Sequence, residues 1–453
     1  MTSSLLRGGV ATLALFAAAA APATAQNARI PVETYRLDNG LRVVLSPNAA
    51  VPTVSVNVWY DVGARDEQPG RTGFAHLFEH MMFQGSQNIG RGDHFKLMER
   101  AGSQNFNGTT DYDRTNYYQT LPANRLNLGL WAEADRMRAL AVTEENFRNQ
   151  RDVVKEEKRQ RVDNSPYGTA LRAMIGEAAY SPESCFGYAH ISIGSMADLD
   201  SATLDDVRNF HSTYYRPENA TLTVTGGFVP AEAKALIQRY FGAIPRGTAA
   251  IPRNSCTQPF TKLPVRREFT DANAQLPAVM ATFGLPAAGD KDMAAITLLN
   301  AILTDGESSR LNDRLVKRER AAVQMVPLFL ERRGPGLAMY FMVANQGVGA
   351  EKLEALFDEE LARVRDGGVT EAELARARNR LRAGEVLQRQ SPHGLAEALQ
   401  TGVHFHGDPN WVNRSLAPYA AVTAADVQRV ARQYFTNNNR ALAVIAPAAA
   451  AKD

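Results

Sequence analysis

Cysteine is scarce: two residues in 453, Cys185 and Cys256. They form no C-x-x-C pair, which excludes a zinc ribbon and a dithiol redox motif. A single bridge between them is compatible with an exported protein, and spacing alone leaves it open. An excess of one charge is missing too. Lys plus Arg number 50 and Asp plus Glu 48, a net charge of +2, and no long basic run occurs. That excludes the electrostatic footprint of a nucleic-acid binder. There is no G-x-S-x-G element and no cysteine nucleophile motif, so serine and cysteine hydrolase chemistry lacks its residues. Beyond the first 25 residues no apolar run is long enough to cross a bilayer.

The opening stretch, "MTSSLLRGGVATLALFAAAAAPATAQ", has Arg7, an Ala/Leu/Val-rich run to Ala21, and small residues at Ala23 and Ala25. It reads as a secretory signal peptide cleaved after Ala25, which implies export, with a bacterial periplasm as destination. The remainder is too long for one ordinary core, and two domains are expected.

The pattern is α+β. "TVSVNVWY" alternates, with Val54, Val56 and Val58 on one face and Thr53, Ser55 and Asn57 on the other, the mark of a half-buried strand. "NRLNLGLWAEADRMRAL" reads as an amphipathic helix and "EENFRNQRDVVKEEKRQRV" as a long helix with a solvated charged face. A repeat joins the two ends of the chain. Residues 202–224 and 422–444 match without a gap at an offset of 220, with Asp206/Asp426, Tyr214/Tyr434, Asn219/Asn439 and Val224/Val444 identical. Two homologous domains explain this. The expected boundaries are 26–245 and 265–453, with a Pro/Thr/Ser-rich linker at 246–264.

Against this background "HLFEHMMFQGS" stands out. His76 and His80 are four apart, so a helix places both on one face, about 5–6 Å apart at Cβ. Two imidazoles from one turn can hold one zinc ion. Glu79 lies between them, within reach of a metal-bound water without being a ligand. This is H-x-x-E-H, the reverse of H-E-x-x-H. Three polar side chains on a helix of Phe, Leu and Met are costly unless paired or metal-bound. A third protein ligand is still needed.

These residues resemble the pitrilysin/insulinase-type zinc peptidases, which include mitochondrial processing peptidase. The resemblance spans nearly all of the chain after the leader. It implies a third ligand, a glutamate on a long helix downstream. Glu156 and Glu157, 76 and 77 residues after His80, compete for it. "VVKEE" is similar to the family's "VVxEE", whose second glutamate ligates, which selects Glu157. "AGSQNFNGTTDYDRTNYY" resembles the family's active-site edge strand, with Asn107 where an asparagine contacts substrate backbone. The implied fold is two homologous domains, each a mostly antiparallel sheet packed with helices, together half of a clamshell.

Two departures matter. Where the family has a glutamate near the zinc site, this chain has Gln150, which keeps the shape and loses the charge. Where active members carry an arginine and a tyrosine in the second domain, alignment on "SSRL" places Lys317 and Gln324. The resemblance therefore implies a subunit that supplies zinc and hydrolyses peptides or unfolded segments. A homologous partner would supply the Arg/Tyr pair in a heterodimer. The alternative is a non-catalytic assembly subunit. His404 and His406, at a spacing that suits a strand, have no carboxylate or cysteine cluster nearby and read as solvated or core histidines, as do His94, His190, His211 and His393.

Overall fold

The structure, a computed structural model, describes residues 29–448; the expected leader, 1–25, lies outside them. The first sheet comprises β1 (Glu33–Arg36), β2 (Arg42–Pro47), β3 (Thr53–Tyr60), β4 (Asn105–Thr110), β5 (Thr115–Pro122) and β6 (Ala220–Gly226), in the order β1-β2-β6-β3-β5-β4. The second comprises β7 (Val265–Asp271), β8 (Ala278–Ala287), β9 (Ala322–Leu330), β10 (Pro335–Ala344) and β11 (Arg440–Pro447), in the order β7-β11-β8-β10-β9. Without β1 the two orders coincide. β2 runs parallel to β6 as β7 does to β11, and the remaining equivalent pairs are antiparallel. β4 and β9 are therefore equivalent free edges.

The duplication reaches individual hydrogen bonds. Thr203 with Asp206, and Thr423 with Asp426, form matching capping boxes. Asn219 Nδ2 donates to the Tyr214 carbonyl at 2.8 Å, and Asn439 Nδ2 to the Tyr434 carbonyl at 2.8 Å. The fold is an α+β duplication in which each sheet backs a large apolar core.

β3 departs from the half-buried strand expected from its alternation. Ser55 and Asn57 are as buried as Val54, Val56 and Val58. The cause is the Pro392–His406 helix, which comes from the second half of the chain and lies over the first sheet. Asn57 Nδ2 donates to Glu397 at 2.6 Å, Gln400 Nε2 to the Thr221 carbonyl at 2.8 Å, and Thr225 Oγ1 to the Pro392 carbonyl at 2.6 Å. The loan is reciprocal. The Gly168–Ile175 helix of the first half packs Ala170 and Met174 against Ala278, Met280, Ala441 and Ala443 of the second sheet. Polar residues can occupy the second face because a neighbouring helix satisfies them. His404 and His406 sit on that helix and not on a strand; His404 meets Trp59 edge-on and His406 stacks on Trp411.

The Leu126–Ala139 helix is not amphipathic. Glu133, Asp135 and Arg136 are buried along with its apolar residues. Charge is tolerated there because it is paired: Arg136 Nε donates to Glu133 Oε2 at 2.9 Å, and Nη2 bonds the other oxygen. The guanidinium also lies 4.5 Å from the Tyr117 ring centroid. Glu133→Ala is expected to destabilise the protein by about 3–5 kcal/mol, because it strands a buried guanidinium. Urea unfolding of the variant measures this. Lys158 likewise leaves the solvated face expected of its helix and is buried against Asp163 at 2.6 Å. Cys185 and Cys256 are disulfide-bonded. No helix among the described residues is long and apolar enough to cross a membrane.

Candidate metal centre

The motif lies on the Phe74–Met81 helix. Phe74, Leu77, Phe78 and Met81 are buried, while His76, Glu79 and His80 are half-buried. That split follows from placing i, i+3 and i+4 on one side. Gly73 precedes the helix at φ 89°, a left-handed conformation, and a Cβ there would come within 2.8 Å of the Ile193 carbonyl oxygen. Glu67, wholly buried, holds the helix start: its carboxylate accepts from Gly73 N and Ala75 N, both at 2.8 Å. A carboxylate at a helix N-terminus answers both the free N–H groups and the dipole. His190 Nε2 lies 2.9 Å from the same carboxylate. His190 is thus neither solvated nor a ligand; it holds the group that aims the motif helix.

The Glu144–Lys158 helix begins at Thr143, whose Oγ1 accepts from Asn146 N at 3.2 Å. Phe147, Gln150 and Val154 form its buried face, and Glu157 continues that line by one turn. Glu157 Oε2 lies 3.4 Å from His80 Nε2 and 3.7 Å from His76 Nε2. One ligand atom from each of the three residues fits within a mutual distance of 4.8 Å. Arg161 Nη1 holds the other Glu157 oxygen at 2.5 Å. Glu156 is exposed and bonds Arg159 and Gln160 instead.

Gln150 lies behind His80. Its Oε1 is 3.2 Å from His80 Nδ1. An amide oxygen only accepts, so this contact requires the proton on Nδ1 and leaves the Nε2 lone pair facing Glu157. Burial, and then His80 and Arg161, push His76 down to about 3, so its imidazole is neutral, the form that binds metals. Two imidazole nitrogens and a carboxylate oxygen at these separations fit one zinc ion. Donors about 2.0–2.2 Å from a tetrahedral centre sit roughly 3.4 Å from one another. Gln150→Ala is expected to weaken zinc binding about 10–100-fold, and Gln150→Glu to retain it. Competition with a chromogenic chelator reads both.

His76, Glu79, His80, Glu157 and Arg161 line one cleft of about 630 Å³. Its floor carries β4, of which Asn107, Gly108, Thr109 and Thr110 line the cleft, with Gly108 against Glu79. Among the described residues β4 pairs with β5 alone, with Asn107 opposite Tyr118, so its other edge is open there. Leu171, Ile175, Ile191 and Ile193 form an apolar wall, with Arg161 and Arg172 beside it. Burial raises the Glu79 carboxyl above the usual range, against the pull of Thr110, His80 and Arg114. A Cβ on Gly108 would lie 3.0 Å from Glu79 Cγ and 3.1 Å from Phe83 and Tyr117. Glycine at that point lets the motif helix meet the strand.

Glu67, Gly108, Thr110 and Arg161 were not legible as site residues from the motif. A glycine inside a strand pattern signals close approach and marks Gly108. Arg161 follows Glu157 by one helical turn, the spacing of an ion pair. Neither Glu67 nor Thr110 carries a sequence signal. Lys317 pairs with Glu307 at 2.9 Å and Gln324 lies on β9; neither lines the cleft.

Two family models match the chain: "Insulinase (Peptidase family M16)" over residues 42–186 and "Peptidase M16 inactive domain" over residues 201–381. Together they cover more than half of it, and the chain belongs to the pitrilysin/insulinase family of zinc metallopeptidases. It is 28% identical to the zinc protease PqqE of Helicobacter pylori over 422 residues, 92% of this chain and 93% of that protein. It is 24% identical to a probable mitochondrial-processing peptidase subunit beta of Arabidopsis thaliana, covering 91% of this chain and 77% of that one. Among solved structures, a protease from Helicobacter pylori superposes with a TM-score of 0.87 at 27% identity, over 92% of this chain and all of that one. The periplasmic protease PqqL of Escherichia coli shares the fold at a TM-score of 0.72 and 20% identity, over 92% of this chain and 47% of that one.

Proposed function

We propose that this chain is the zinc-carrying subunit of a peptidase that hydrolyses peptides or unfolded segments inside a closed chamber. The observation that carries this is the juxtaposition of His76, His80, Glu157 and Glu79 with an open sheet edge. His76, His80 and Glu157 would hold one zinc ion. When bound, that ion supplies a water of lowered pKa and polarises the scissile carbonyl. The chain's own residues do the rest. β4 binds an extended polypeptide through its free backbone groups, with Asn107 adding a side-chain contact, which gives affinity with little dependence on sequence. Glu79 takes a proton from the attacking water and delivers it to the leaving amine. Gln150 keeps His80 in the ligating tautomer, and Arg161 keeps Glu157 turned toward the histidines.

The second domain supports an incomplete site. Lys317 and Gln324 occupy the positions where the family has its arginine and tyrosine, and Gln324 lacks the phenol that would stabilise an oxyanion. The fold spans about half of a single-chain periplasmic relative. A homologous partner supplying the pair would complete a heterodimer. Export to the periplasm belongs to this reading; the leader and the Cys185–Cys256 bond both suit an oxidising compartment. The alternative, a non-catalytic assembly subunit, draws on the inactive-domain match to the second half.

Zinc-loaded chain assayed with a quenched fluorescent peptide separates these readings. The isolated chain is expected to turn over slowly, and addition of a homologous chain bearing the Arg/Tyr pair to raise the rate by about 10²–10³, the scale of an oxyanion-stabilising contact. Full activity from the isolated chain would sink the partner requirement. No turnover in any assembly, with zinc bound, would favour the alternative.

A further inference from the structure

Arg332 sits in the turn between β9 and β10 and is only 2% exposed. None of its three guanidinium nitrogens has a hydrogen-bond partner among the described residues. Three tyrosine rings surround it instead. Its Cζ lies 3.7 Å from the Tyr112 ring centroid, 4.8 Å from that of Tyr188 and 5.0 Å from that of Tyr180. An arginine side chain keeps its charge in a protein, so this is a buried cation held against π faces. An apolar side chain of similar volume would fill the space at less cost. What the cation adds is a fixed geometry for the rings.

All three tyrosines belong to the first half of the chain, and the rest of the turn grips the same place. Arg333 N donates to Asp113 Oδ2 at 2.8 Å, Gly334 N to the Tyr188 hydroxyl at 3.0 Å, and the Tyr180 hydroxyl to the Pro335 carbonyl at 2.7 Å. Tyr112 is where three sides of the metal-centre cleft meet. It follows the end of β4 by two residues, in the turn to β5. Its hydroxyl donates to the His190 carbonyl at 2.8 Å, directly before Ile191 and Ile193 of the apolar wall. His190 in turn meets Glu67, the carboxylate that caps the motif helix. A shift of the Tyr112 ring is therefore felt by the strand edge and the wall together.

We infer that Arg332 is a positioning residue. From the second half of the chain it fixes the Tyr112 ring, and through that ring it sets the free edge of β4 and the wall at 191–193 for an extended peptide. This rests on the reading that β4 binds the substrate backbone.

Arg332→Met and Arg332→Lys in the full zinc-loaded chain test this, by steady-state kinetics in the competent assembly and by amide hydrogen exchange of the chain itself. Methionine fills the space without charge, and lysine keeps a cation among the rings. Arg332→Met is expected to keep one zinc ion per chain and to raise KM for a peptide of about ten residues roughly tenfold, with kcat within about threefold, which marks lost binding and not lost chemistry. Arg332→Lys is expected to stay within about threefold of the parent. In Arg332→Met, exchange is expected to quicken roughly tenfold at 105–118 and 190–193, with β8 and β11 unchanged. Unchanged KM, zinc lost along with activity, faster exchange spread over both sheets, or no rescue by lysine overturns the positioning role. Should Arg332→Met not fold, Tyr112→Phe decides: it removes only the hydroxyl at His190, and unchanged KM with unchanged exchange at 190–193 overturns the role. A parent that turns over no peptide in any assembly overturns the peptidase reading instead, and the exchange result then decides the positioning role on its own.

Discussion

Glu79→Gln is expected to lower peptide turnover by about 10²–10⁴-fold while zinc stays bound at one ion per chain. The substitution keeps the size of the side chain and a hydrogen-bonding oxygen. It removes the ability to take a proton from water and return it to the amine. Nothing in the local packing depends on the charge. Thr110 can donate to an amide oxygen as it does to the carboxylate, and Gly108 leaves the same room beside Cγ. His76, His80 and Glu157 approach one another without Glu79 between their ligand atoms. Zinc content by atomic emission and turnover of a quenched peptide in the competent assembly are measured on the same preparation. Turnover within tenfold of the parent would remove Glu79 from the base role. Loss of zinc with the activity would make it a ligand or a structural support instead.

The fold was legible wherever a local pattern coincided with its tertiary partner. The offset of 220 between Asp206 and Asp426 announced the duplication, and the two sheet orders repeat it strand by strand. Alternation misjudged β3 because nothing near Ser55 and Asn57 in sequence says that a helix more than 300 residues away covers them. The same blindness made "VHFH" look strand-like and the Leu126–Ala139 helix look amphipathic. Asn57 Nδ2 is satisfied by Glu397 and Asp135 by Ser86 and Asn88, polar groups whose partners lie far away in sequence. At the candidate site, ligand types repeat at helical spacing and were visible as a motif. Glu67 was not, because a loop carboxylate that caps a helix six residues on has no period to betray it. The Cys185–Cys256 bond stayed open from spacing because disulfide geometry is a matter of distance in space.

Glu157→Ala and Glu156→Ala form the second large contrast, and they divide two residues that the sequence alone leaves in competition. Both sit on one helix, one residue apart, so a helical turn of about 100° separates their directions. Glu157 turns toward the motif helix, with Oε2 3.4 Å from His80 Nε2; Glu156 turns to solvent against Arg159 and Gln160. Removing Glu157 leaves two imidazoles, too few to hold zinc in a catalytic site of three protein ligands. Zinc content is expected to fall below 0.1 per chain after dialysis against micromolar chelator, an order-of-magnitude expectation of roughly 10³-fold weaker binding or more. Turnover falls with it. Glu156→Ala loses only exposed contacts and is expected to keep zinc and activity within about twofold, because surface ion pairs contribute little. A reversed result, zinc lost with Glu156 and kept with Glu157, would mean that the helix rotates on loading the metal. In that case Arg161, which pairs with Glu157 and not Glu156, would be competing with the ion rather than orienting its ligand.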